Sequence, residues 1–224
     1  MDSAELSRQA VGLPGHGRRR RLRLKWFALG LGAVLALLLL AAAGWFAWTF
    51  VLRPPPDGFA PTSGQAVAVP GQPEGVVQYT VDARSRQDWV YFSFASDTAV
   101  STTQDSIDWD IAFRRTDILT NSGETNPEGL GGAIDLGNVP LEEAQPPVDG
   151  YVLDATDDER GLENHALHGW YSYNWRTHIV GSKNHTYSVR TAAGEAVLVT
   201  FSSYYCGDGA PGCVTFQYRH AEGR

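Results

Sequence analysis

Sulfur is scarce in this chain: 224 residues hold two cysteines and one methionine, Met1. Two cysteines cannot build a zinc ribbon or a disulfide-dense scaffold. With methionine absent from the interior, bulk comes from nine Tyr, nine Phe and seven Trp, a mixture that suits strands better than a helical bundle. Positive charge is also short. The net charge is −7 and the isoelectric point near 5.3, which argues against a nucleic-acid binder with a basic stripe. The sequence has no G-x-S-x-G, H-E-x-x-H or C-x-x-C, so no nucleophile, metalloprotease or redox signature is present. Gly207, Gly209 and Gly212 match the dinucleotide fingerprint in letters only. Pro211 interrupts it and a strand follows, so no helix N-terminus is available to meet a pyrophosphate.

What is present is strongly segregated. Residues 1–25 carry seven Lys/Arg against Asp2 and Glu5, a net of +5, whereas residues 54–224 carry ten Lys/Arg against 23 Asp/Glu, a net of −13. Between the two, Trp26 to Leu52 is free of charge. A helix of that length spans about 40 Å against roughly 30 Å of hydrocarbon, with Trp26 at one interface and Trp45 and Trp48 at the other. The Arg18–Lys25 cluster predicts a cytoplasmic N-terminus and an exocytoplasmic body in a single-pass protein of the cell membrane. The competing reading is a cleaved signal peptide, with Leu29–Leu40 as its apolar region and Ala41–Ala43 as its cleavage site. It would leave Gly44–Leu52 as a greasy N-terminus, which favours a retained anchor. Both readings put the body in an oxidising compartment, where Cys206 and Cys213, with six residues between them in a Gly-rich turn, are expected to pair.

Residues 53–75 are rich in proline and glycine and read as an extended spacer. Residues 76–224 then read as one mostly β, antiparallel domain. Val76–Ala83, Trp89–Ser96, Trp109–Thr120, Ala133–Leu136, Tyr151–Asp154, Trp170–Trp175, His185–Thr191, Ala196–Tyr205 and Val214–Tyr218 are its expected strands. Over Trp109–Phe113 the period of two predicts Trp109, Ile111 and Phe113 on one face and Asp110 and Ala112 on the other. Ala192–Glu195 reads as a hairpin turn and Asp157–Leu167 as a short helical turn.

The acidic run Asp154, Asp157, Asp158, Glu159 lacks the spacing of a calcium loop and reads as solvated. Asp105, Asp108 and Asp110 read as polar positions flanking a strand. Histidine is more informative. His165, His168, His178, His185 and His220 lie outside the apolar segment. His165 and His168 could offer two nitrogens together, and His178 and His185 flank a Gly-Ser-Lys-Asn loop. Two neutral imidazoles facing one another would suit a haem iron, with aromatic side chains covering the porphyrin.

Trp109-Asp-Ile-Ala-Phe113, Arg114-Arg115-Thr-Asp-Ile118 and Thr120-Asn-Ser-Gly123 resemble the HmuY family of exported haem-binding proteins. Trp170-Tyr-Ser-Tyr173, Tyr187-Ser-Val-Arg-Thr191, Gly194, Phe201-Ser-Ser-Tyr-Tyr205 and Val214-Thr-Phe-Gln-Tyr218 continue the resemblance in order, over roughly residues 76–219. It implies an almost all-β domain holding haem between two axial side chains, His in some members and Met in others. Methionine ligation is ruled out here, so the candidate axial ligands are His178 and His185, then His165 and His168. The implied partner is haem or a haem-carrying protein. Known members are lipoproteins, whereas this chain carries an apolar helix, which favours a tethered receptor over a released carrier. The alternative is a β module for structure or protein interaction that has lost the ligand.

Overall fold

The structure, a computed structural model, describes residues 16–49 and 56–221. The first part of the basic tail, residues 50–55 of the apolar segment and spacer, and the last three residues lie outside the described residues. Helix α1 (His16–Ala47) holds the apolar segment. No part of its stretch Lys25–Ala47 is buried, and by length and composition it is long enough to cross a membrane.

The described residues from 56 to 221 form a compact unit of their own. It contains β1 (Gly58–Phe59), β2 (Val67–Ala68), β3 (Val77–Asp82), β4 (Val90–Ser93), β5 (Thr98–Val100), β6 (Ile111–Arg114), β7 (Asp117–Thr120) and β8 (Gly132–Asp135). Then come β9 (Ala155–Asp157), β10 (Gly161–Glu163), the single helical turn α2 (His165–His168), β11 (Tyr171–Asn174), β12 (Ile179–Ser182), β13 (Thr186–Arg190), β14 (Ala196–Cys206) and β15 (Pro211–His220). The main sheet runs β2-β3-β15-β14-β13-β8, with β1 added in parallel to the end of β14. A second sheet runs β5-β4-β6-β7, and β9–β10 and β11–β12 are separate hairpins. Every pairing except that of β1 is antiparallel, so the mostly β expectation holds.

The two larger sheets meet across an aromatic core. Phe113 of β6 stacks on Phe216 of β15 at 5.2 Å, and Phe92 of β4 packs edge-on against Phe216 and 4.8 Å from Tyr79 of β3. Phe201, Tyr187 and Trp170 extend this core toward β13 and α2. Rings at these separations add specific edge and stacking attraction to the burial itself. The other face of the main sheet is covered by a smaller cluster of Val76, Leu141, Ala144 and Leu198.

Four expectations need correction. Residues 58–75 are not a free spacer: besides β1 and β2, Thr62 exchanges hydrogen bonds with Thr80, and Ala66 N donates to Asp97 O. Composition gauges side-chain burial and misses backbone pairing, which here covers an exposed sheet edge. Trp109 does not share a face with Ile111 and Phe113. It packs with Ala112 and Leu119, because β6 begins only at Ile111 and the preceding backbone departs from regular alternation. The Trp109–Thr120 run is a hairpin turning at Arg115, whose φ is +55°, and the helical turn falls at His165–His168, after a β9–β10 hairpin.

Cys206 and Cys213 are disulfide-bonded and join the ends of β14 and β15. Gly58 lies so close that a Cβ there would collide with the Cys206 carbonyl. Closing a loop this short stabilises the fold by about 2–3 kcal/mol. Reducing the bond is therefore expected to lower the melting temperature of the domain by about 4–12 °C, measured by calorimetry with and without a thiol reductant.

Candidate functional site

The four histidines singled out by sequence fall at the edge of the main sheet and on the elements beside it. His165 and His168 occupy both ends of α2. Asn164 caps this turn, its Oδ1 accepting from Ala166 N, and Leu167 is driven into the core. Their Nδ1 atoms face one carboxylate, Glu163, at 3.6 Å from His165 and 3.1 Å from His168. Arg160 donates two further hydrogen bonds to Glu163, of 2.7 and 2.8 Å. That guanidinium holds the Glu163 carboxyl below the usual carboxylate range, with the neighbouring histidines adding to the effect. His168 also lines a hollow of about 200 Å³ with Ile118 and Leu162, smaller than the roughly 300–1,000 Å³ of common ligand pockets.

His178 sits in the turn of the β11–β12 hairpin with φ at +54°, and its Nδ1 is 2.5 Å from the Tyr173 hydroxyl. Tyr173 and Trp175 on the same hairpin are 54% and 69% exposed, and the Arg176 guanidinium lies 4.9 Å from the Trp175 ring. Large exposed aromatics beside an imidazole are an open platform for a flat ligand. His185 precedes β13. Its Nδ1 bonds the Asp135 carboxylate at 2.9 and 3.0 Å, and its ring centre lies 6.4 Å from that of Tyr187. A carboxylate beside Nδ1 favours the tautomer that carries its proton there, and Nε2 is then the nitrogen that can ligate a metal.

The structure thus brings His165 and His168 together on Glu163. His178 and His185 are held by different partners, one within its own hairpin and one on β8. Among the described residues no group of three or more His, Cys, Asp or Glu is arranged to hold a bare metal ion.

The sequence reading missed the residues that brace these imidazoles. Asp135 lies 50 positions from His185, so no spacing rule connects them. It also missed a cue that was readable: from Asn164 to Gly194 there is no Asp or Glu, while Arg176, Lys183, Arg190 and four of the six histidines lie there. In a body of net −13, this long segment is itself free of acidic side chains, so its own charges are all positive. The acidic run was misread as well. Asp154 is buried and accepts from Thr120 N and Oγ1, Thr125 Oγ1 and Asn164 Nδ2, tying the base of α2 to β7.

A disulfide-closed, antiparallel β domain with carboxylate- and phenol-braced histidines on its rim places the chain among mostly β domains. Within that class the chain belongs to the HmuY family, whose description as HmuY protein matches residues 85–218. Among solved structures it is similar to a Bacteroides vulgatus protein named as HmuY-like and heme-binding, at 18% identity and a TM-score of 0.56, covering 73% of this chain and all of that one. It is also similar to a Bacteroides fragilis protein named as a lipoprotein, at 17% identity and a TM-score of 0.55, covering 72% and 96%. The apo HmuY analogue of Tannerella forsythia matches at 18% identity and a TM-score of 0.53, covering 65% and 95%. At these identities the likeness is one of fold. No curated protein matches the chain by sequence.

Proposed function

We propose that this protein is a haem-binding member of the HmuY family that captures or relays haem outside the cytoplasm, held at the membrane by α1. The Arg18–Lys25 cluster, ahead of the apolar stretch of α1, would keep the N-terminus inside, and the disulfide suits an oxidising compartment. The observation that carries the haem assignment is His185, whose Nδ1 is tied to Asp135 while its Nε2 is left for iron.

The second ligand is His178. The two histidines flank the segment that carries strand β12, and together they would hold the haem. Tyr173 and Trp175 would cover the macrocycle, and Arg176 and Lys183 would meet its propionates. Bound there, haem would supply a redox-active iron, and the imidazoles of His178 and His185 would hold it. His165 and His168 rank behind this pair, since they share one carboxylate on a single turn and would approach an iron from the same side.

The assignment predicts an effect at a residue that never touches iron. Replacing Asp135→Ala in the full chain is expected to weaken haemin affinity about 10–100-fold while the melting temperature moves little. Spectrophotometric titration in detergent reads this directly. Unchanged affinity would remove His185 from the site.

A further inference from the structure

At the Arg190 end of β13, away from His185, lies a cleft of about 520 Å³. Pro146 and Pro147 supply an apolar wall, and Glu195 and His220 stand on its lining. The Arg190 guanidinium lies 4.5 Å from the centre of the Tyr151 ring. Tyr151 is itself fixed, its hydroxyl bonded to Pro147 O at 3.3 Å and to Ser188 Oγ at 2.8 Å. Arg190 Nε is buried with no acceptor, and among the described residues no carboxylate pairs with this guanidinium. An arginine carries five N–H donors in a rigid fork, and leaving a buried one unsatisfied is costly. In an acidic domain rich in carboxylates, a half-buried arginine stacked on a tyrosine and left without one is a prepared anion site.

We propose that this cleft binds a small organic monocarboxylate with an apolar body, its carboxylate on the Arg190 fork and its body against Pro146 and Pro147. Glu195 sets the charge of the ligand. It tolerates one negative charge balanced by Arg190 and disfavours a second, so inorganic phosphate and dicarboxylates are discriminated against. Tyr151 holds the guanidinium plane in place, so little ordering remains to be done on binding.

The test uses the full chain in a non-ionic detergent with benzoate as the probe, followed by calorimetry and ligand-observed NMR. Saturable one-to-one binding is expected, weakened at least about tenfold in Arg190→Met and strengthened about threefold in Glu195→Gln. Tenfold excess phosphate is expected not to displace benzoate, and a haem-loaded chain is expected to bind it as well as the haem-free one. Absence of saturable binding, indifference to Arg190→Met, weakening in Glu195→Gln, or competition by phosphate would each overturn the proposal. Displacement by one equivalent of haemin would also overturn it, by making Arg190 part of the haem site. Circular dichroism of Arg190→Met checks its fold, and Glu195→Gln decides the matter should that variant be unfolded.

Discussion

Asp154→Ala is expected to destabilise the domain by about 2–6 kcal/mol, the largest stability effect of any single substitution considered. The carboxylate accepts from Thr120 N at 2.9 Å and from Asn164 Nδ2 at 2.8 Å, two donors that cannot turn into acceptors. Each buried donor left without a partner costs about 1–3 kcal/mol. The hydroxyls of Thr120 and Thr125, both at 2.7 Å, can rotate and soften the loss. The melting temperature should fall by roughly 5–20 °C. Asn164 also caps α2, so hydrogen exchange is expected to speed up first across His165–His168.

The same carboxylate carries a pH signature. Burial raises its pKa above the ordinary value, against the pull of its hydrogen-bond donors. A raised native pKa means that the folded state binds the proton more tightly than the unfolded state. Its contribution is therefore full below the ordinary carboxylate value and is lost as pH rises through the native value. The gap between the native chain and Asp154→Ala is expected to widen on acidification through that window. A gap that narrows would show that the donors, and not burial, dominate.

Replacing His178 and His185 together by alanine is expected to weaken haemin binding more than about 100-fold. Loss of a carboxylate behind a ligating imidazole costs about 10–100-fold, and loss of the imidazoles themselves must cost more. His185 is three-quarters buried and braced, whereas His178 lies in an exposed turn, so His185→Ala alone should account for most of the effect. His165→Ala with His168→Ala is expected to leave the affinity within about threefold. The reverse pattern would transfer the site to α2 and Glu163. The readout is the Soret band over a haemin titration, with melting curves to show that each variant is folded.

The parts of the fold legible in the sequence are those that local rules control. Val214, Phe216 and Tyr218 alternate along β15, and the β13–β14 turn carries Gly194 at φ +89°, where a β-carbon would be strained. The ordered aromatic segments from Trp109 to Tyr218 pointed to the family that the comparison then matched. Less legible were features made by chain segments far apart. Asp154 looked like one member of a solvated acidic run, yet its partners come from Thr120, Thr125 and Asn164. Residues 58–75 looked unable to fold, because their contribution is backbone pairing with β3 and β14, which composition does not record. The histidines were visible as residue types, but Glu163, Tyr173 and Asp135, which orient them, emerged only with the coordinates.

The most direct test is a haemin titration of the full chain in detergent, compared with empty micelles and with the His178→Ala, His185→Ala double variant. The account predicts a shifted Soret band that saturates at one equivalent in the native chain and in neither comparison. A native chain whose spectrum follows that of the micelles would contradict haem binding and leave a β module for protein interaction as its function.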